Sequence, residues 1–139
     1  MICPHMTNGT RCVVVVDEAL APGLAANAAA VMAMTLGAKV PALVGEAFVD
    51  GAGEQHPGLI TTGLPVLRAA ASDLPALRAR AVAAEVGVVG FPRFGQTTTD
   101  YEHFRAMVAS TEAPEYLGLA FYGDGKVLRR LTGSLGLLR

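Results

Sequence analysis

The sequence predicts an α/β sandwich built on a mostly parallel sheet. Three observations carry this. Four consecutive valines, Val13, Val14, Val15 and Val16, end at Asp17. An alanine-rich stretch without charge follows them directly, and strand-like and helix-like segments then alternate to the C-terminus. Continuous apolarity in a β-branched run marks a strand covered on both faces. Strands joined through helices need crossovers, and crossovers favour parallel pairing.

Taken in order, residues 1–10 read as an N-terminal tail, and residues 11–139 as a single α/β domain. The first strand spans 12–17. Pro22 and Gly23 open a helix, since proline is tolerated in a first turn. Its body covers 24–36, with Gly37 as the expected stop. Residues 40–44 read as a short strand, held to an edge position by Pro41. Residues 48–51 read as strand into turn, and 51–58 as a surface loop. Residues 59–67 are apolar and extended, broken by Gly63 and Pro65. A second helix runs over 72–85, with Leu74, Leu77, Ala81 and Ala84 at helical spacing and Ser72 as its cap. Residues 86–91 form another strand. Thr99 and Glu102 have the capping-box spacing, with Thr99 as N-cap. The helix they open carries Tyr101, Phe104 and Val108 on one face. Residues 116–122 are the last strand. A short helix over 124–132 then stops at Gly133. The irregular middle leaves room for one antiparallel strand.

At 139 residues the chain makes one domain. Hydrophobic residues are 52% and charged residues 17%, which excludes intrinsic disorder. Eleven basic and twelve acidic residues give a net charge of −1, against the basic surface of a duplex-DNA binder. Two cysteines, Cys3 and Cys12, make no disulfide framework. Cys3, His5 and Cys12 match no zinc spacing and have no evident fourth ligand, so no metal is expected. No G-x-G-x-x-G and no Walker lysine occur, so no cofactor is expected. Residues 19–38 carry no charge, yet alanine supplies most of their apolar count. Pro22, Gly23 and Asn27 interrupt them, and Asp17 and Glu18 precede them; this excludes a membrane span and a signal peptide. The expected location is cytoplasmic.

Two stretches carry a resemblance. One is Val13-Val14-Val15-Val16-Asp17 with Pro22-Gly23-Leu24-Ala25-Ala26-Asn27-Ala28-Ala29-Ala30. The other is Tyr116-Leu117-Gly118-Leu119-Ala120-Phe121-Tyr122-Gly123 with Leu131-Thr132-Gly133-Ser134-Leu135. Together they resemble an uncharacterised bacterial domain-of-unknown-function family, over most of the chain. More distantly, the same ends resemble the type II peptidyl-tRNA hydrolases. Those proteins open with an apolar strand and a Gly-Lys-Ile-Ala-Ala-Gln helix start, and close on a Thr-Gly-x-Leu ending. This likeness implies a three-layer α/β/α sandwich with a mixed, mostly parallel sheet of about four strands, commonly a homodimer. It does not carry the catalytic groups. Gly23 stands where that family has its lysine and Ala30 where it has its histidine. The aspartate expected after the penultimate strand falls near Phe91. Asn27 and Gln96 alone keep similar chemistry.

The candidate binding residues are Asp17, Glu18, Gly23, Asn27 and Gln96. Asp17 and Glu18 end the first strand, where open α/β sheets bind ligands, though a solvated pair or a helix cap explains them as well. Asn27, a polar residue in an apolar helix, needs a partner across a loop, a dimer seam or a ligand. Gln96 with Thr97 and Thr98 precedes a helix N-terminus suited to anions. Lys126, Arg129, Arg130 and Arg139 make the last fourteen residues basic. They read as favourable charge near a helix C-terminus in preference to RNA contact. His56 is the better catalytic histidine, but no nucleophile–base pair is visible from spacing. The expectation is a protein that binds a small ligand or partner at the carboxyl edge of the sheet. A hydrolase acting on peptidyl-tRNA or a related ester with a rearranged site is the alternative. A homodimer through the alanine-rich helix is expected, with no DNA and no membrane partner.

Overall fold

The computed structural model describes residues 9–139. Cys3 and His5 lie outside the described residues. Strand β1 (Thr10–Asp17) is the valine run, lengthened at its start, so that Thr10 is a buried strand residue and not the end of a tail. The run divides by parity as a strand must. Cys12, Val14 and Val16 enter the core on one face, and Val13 and Val15 enter the core on the other. Helix α1 (Pro22–Lys39) starts on Pro22 and packs Ala25, Ala28, Met32 and Leu36 onto the first of these faces. Gly37 does not stop it. The stop is Val40, which precedes Pro41 and has left the helical region (φ −130°, ψ 66°), as the proline ring demands of its predecessor.

The expected strand over 40–44 is instead a 3-10 turn (Pro41–Leu43), with one isolated bridge between Val44 and Ile60. Strand β2 (Phe48–Val49) pairs with β3 (Gln55–His56), a strand inside the expected loop, to make a separate hairpin. Then come β4 (Val66–Ala69), α2 (Leu74–Ala83), β5 (Gly87–Pro92), α3 (Tyr101–Ala109), β6 (Tyr116–Asp124) and α4 (Gly125–Thr132). Helices α2 and α4 cover the second face of the sheet, through Leu74, Leu77 and Ala81 and through Leu128 and Leu131.

The main sheet has the order β4-β1-β6-β5. It is mixed but not mostly parallel: β1 pairs in parallel with β4, while β6 is antiparallel to both β1 and β5. The crossover argument holds for direction, since β1, β4 and β5 all run the same way. It fails for pairing because β6 inserts between β1 and β5. The reason lies in β6 itself, whose Leu117, Leu119, Ala120 and Phe121 are buried and divide between both cores; such a strand is stable only at the centre. The connection into β6 runs through α3, which buries no residue, so it makes no crossover layer on the sheet.

Helix ends follow local chemistry. Asp124 caps α4, accepting from the backbone N–H groups of Lys126 and Val127. At α3 the N-cap is Asp100, which accepts from the N–H of His103, in place of the expected Thr99. Helix α2 ends in a Schellman arrangement. Val86 N–H bonds the Ala81 carbonyl, Glu85 N–H bonds Val82, and Glu85 takes the left-handed conformation (φ 60°) that glycine usually fills. Among the described residues, no helix is long and apolar enough to cross a membrane.

Candidate functional site

The carboxyl ends of β1, β4 and β5 meet the start of β6 at one edge of the sheet. Asp17 closes β1 there and is buried. Its Oδ1 accepts from the Ala19 N–H at 2.9 Å, which turns the chain toward α1. Its Oδ2 accepts from the Arg93 guanidinium at 3.2 Å. Arg93 Nε lies 3.2 Å from a Glu115 carboxylate oxygen, at ion-pair distance but without hydrogen-bond alignment. Arg93 thus bridges two carboxylates, one inside and one outside. Sequence reasoning passed over it. The available signal was that a buried Asp17 needs a cation, and Arg93 directly follows β5 at the same edge.

Asn27 and Gln96 come together. The Gln96 side-chain amide donates to Asn27 Oδ1 at 3.3 Å and to the Leu24 carbonyl at 3.0 Å. This ties the turn after β5 to the first turns of α1. Asn27 is exposed, so its amide is not the buried group expected from the apolar helix around it. Glu18 is exposed, and its N–H bonds Ala69. Gly23 is exposed in the first turn of α1, with open space where a Cβ would sit. Of the five candidates, Asn27 and Gln96 therefore form one pair, Asp17 belongs to the Arg93 cluster, and Glu18 and Gly23 join neither.

Beside Asn27 lies a groove of about 350 Å³. One wall is the α1 stripe Asn27, Val31 and Thr35, and the other is the start of α3 with Tyr101 and Phe104. The β5 residues Val89, Gly90 and Phe91 lie between them. Gly95 is required here because a Cβ would run into the Phe91 ring. Thr98, Thr99 and Asp100 close one end, and Asp100 is the one charged residue among the described residues that line it. Larger surface hollows lie elsewhere, among them one of about 410 Å³ past Glu85 and Val127 and two of greater volume. One, of about 490 Å³, runs between Ser72, Arg78 and Glu115. The other, of about 610 Å³, runs along α4 past Lys126 and Arg129. Neither gathers the amide pair.

His56 sits on the exposed hairpin. Its Nε2 is 2.9 Å from Asp50 Oδ2, and its ring stacks on Phe48 at 5.2 Å. The His56 contact and the N–H groups of Glu54 and Ala52 hold the Asp50 carboxyl below its ordinary pKa. Cys12 is a buried core thiol, and burial pushes its pKa up, the opposite of a nucleophile's need. Arg129 and Arg130 stand in the last turn of α4, where the helix dipole favours cations. Among the described residues, no group of three His, Cys, Asp or Glu side chains is placed to hold a metal ion.

The fold and site define a small α/β protein with a mixed four-stranded sheet and an open, partly apolar groove flanked by α1 and α3. The chain belongs to the family described as Protein of unknown function (DUF2000), whose model matches residues 10–139. Its fold is also that of a solved protein of unknown function, Atu0240 from Agrobacterium tumefaciens str. C58. The two are 19% identical with a TM-score of 0.87, over 94% of this chain and 98% of that one. No curated protein matches.

Proposed function

We propose that this chain is a binding protein that takes a small ligand or partner in the groove beside Asn27. In this reading it is built on a three-layer, peptidyl-tRNA hydrolase II-like sandwich and lacks that family's catalytic residues. Support for the layering is the placement of α1 on one sheet face and of α2 and α4 on the other. The observation that carries the binding reading is the groove's make-up: apolar Val31, Met32, Phe91 and Phe104 with a few polar groups, Asn27 among them. That mixture is typical of small-molecule sites.

The hydrolase alternative needs a nucleophile or an activated water with a proton acceptor. On the resemblance, Gly23 and Ala30 stand where the lysine and histidine would be, and the expected aspartate falls near Phe91. Among the described residues, the groove lining contains no lysine, histidine or cysteine. His56 is engaged with Asp50 on the hairpin.

Benzamide is a simple probe, with a ring for the apolar floor and an amide for Asn27. In amide NMR spectra it is expected to shift Val31, Gly90 and Phe104. Asn27→Ala should weaken it about two- to tenfold, the equivalent of one hydrogen bond of about 0.5–1.5 kcal/mol. Shifts scattered over the surface, or unaltered by Asn27→Ala, would remove the reading. Turnover of peptidyl-tRNA by the purified protein would replace it with the hydrolase.

A homodimer through α1 is a second reading, favoured by a separate stripe on the helix. Ala26, Ala30 and Met34 are exposed, Met34 at 81%. Small residues there permit close approach by a second copy. Ala30→Arg should then give a monomer by light scattering; a wild-type mass equal to the monomer ends this reading.

A further inference from the structure

The two edges of the main sheet are treated differently. The outer edge of β4 is covered by the chain's own C-terminal segment. Arg68 N–H bonds the Gly136 carbonyl, Leu138 N–H bonds Val66, and Leu67 bridges Leu137 in antiparallel fashion. Among the described residues, none covers the outer edge of β5 in this way. Its backbone pairs with β6, and residues 87–91 make no hydrogen bond to any described residue on the side away from it. The edge is blunted only at its Phe91–Pro92 end, by the proline and the break in register there. The strand reads Gly87-Val88-Val89-Gly90-Phe91-Pro92, with no charge and with its one irregularity at the Phe91–Pro92 end. Natural sheets usually protect such an edge with charge, proline or a covering element.

This edge is part of the groove. Gly90 is exposed and lines it, and Gly90 has only backbone to offer. The place a Cβ would take is filled by the Tyr116 ring, 2.8 Å away. A row of unpaired N–H and carbonyl groups is complementary to an extended backbone. The side-chain room beside it is apolar, and its charged residue is Asp100.

Resting on the groove reading above, we infer that the occupant is an extended peptide segment that adds as a fifth strand to β5. Alternate apolar side chains enter the groove, and a basic group lies toward Asp100. The scale fits a peptide better than a second folded copy. Six residues of strand at about 3.3 Å each give an edge of about 20 Å. At the spacing of about 4.8 Å between paired strands, that edge presents a strip of about 100 Å², well short of the roughly 800 Å² per partner of a standard stable interface.

The probe is a capped hexapeptide of alternating valine and threonine with one lysine at its start. Two analogues carry N-methyl groups, one on each alternating set of amides. Binding is followed on the full chain by amide NMR. The parent peptide is expected to shift Val89, Gly90 and Phe104. One methylated analogue should bind at least tenfold more weakly and the other equally well, because only one set of amides faces β5. Asp100→Asn keeps the cap and removes the charge, and should weaken the lysine peptide about threefold. Val31→Arg fills the groove wall at an exposed position and should abolish binding.

Equal binding of both analogues overturns strand addition. Benzamide shifting the groove while no peptide does leaves the groove reading standing and removes the peptide. Silence from both probes removes both. Slow hydrogen exchange of the β5 outer amides in probe-free protein, with a concentration-dependent dimer mass, assigns the edge to a second copy and overturns the inference.

Discussion

Arg93→Met tests whether a single cation stabilises the end of the sheet. The Asp17 side chain is only 6% exposed, whereas the Arg93 side chain is 42% exposed. Methionine keeps the apolar stem and removes the guanidinium, which leaves the Asp17 carboxylate with the Ala19 N–H alone. A hydrogen bond to a charged group contributes about 1.5–3 kcal/mol. Solvent reaches the guanidinium, so the lower half of that range applies, about 2 kcal/mol. The other arm is weaker, since Glu115 is 78% exposed. Glu115→Gln should cost no more than about 1 kcal/mol, as surface pairs do. The double variant Asp17→Asn/Arg93→Met carries no buried charge and should cost less than the sum of its parts, by about 1–2 kcal/mol. Urea unfolding reads this directly. With a slope near 2 kcal/mol/M, Arg93→Met should lower the midpoint by about 1 M without changing the slope. A shift for Arg93→Met no larger than that of Glu115→Gln, or strict additivity in the double variant, would refute the bridge.

Three further outcomes follow from the backbone and the hairpin. Glu85→Gly should raise stability by about 1 kcal/mol, because glycine relieves the left-handed conformation at the end of α2; an unchanged or lower melting temperature contradicts this. Gly118→Ala should cost about 1–3 kcal/mol, since its Cβ would lie 2.7 Å from the Val15 carbonyl and 2.8 Å from Met32 Cε, and only the methionine can yield; denaturant unfolding within error of wild type would show that β1 and α1 adjust freely. Asp50 has a lowered pKa in the fold, so its contribution is complete above the ordinary value of 3.8 and is lost as pH falls through the lower folded value. The amides of Ala52 and Glu54 should therefore keep their ionised shifts to below that pH, and Asp50→Asn should flatten the titration; a midpoint at or above 3.8 rules out the His56 contact as its cause.

How much of this was legible depends on whether the signal is local. The valine run states its own burial, because no alternation leaves a face for water, and β1 is buried on both sides. Pro22 marks the start of α1, whereas its end lies past the glycine expected to stop it. Gly37 is permissive within a helix, while Pro41 forbids Val40 the helical region, and the prohibition outweighs the permission. Sheet order is not local. The helices between strands were read correctly, yet β6 takes the centre by virtue of its own two-faced apolarity and so turns two of the three pairings antiparallel. The site shows the same division. Asn27 stands out as needing a partner, and Gln96 by a resemblance and by its place before a helix N-terminus; nothing in either segment says that residues 69 apart share a hydrogen bond. Arg93 and Asp17 are 76 apart, and a lone arginine after a strand looks like any solvated cation until the strand order is known. The groove was beyond local reading for a further reason. The Tyr101 and Phe104 stripe of α3 has the spacing of a core-facing helix, but α3 buries none of its residues and turns the two rings toward the open edge of β5 instead. An apolar stripe states only that something should cover it; which surface does so is decided by the neighbour that the rest of the chain leaves unpaired.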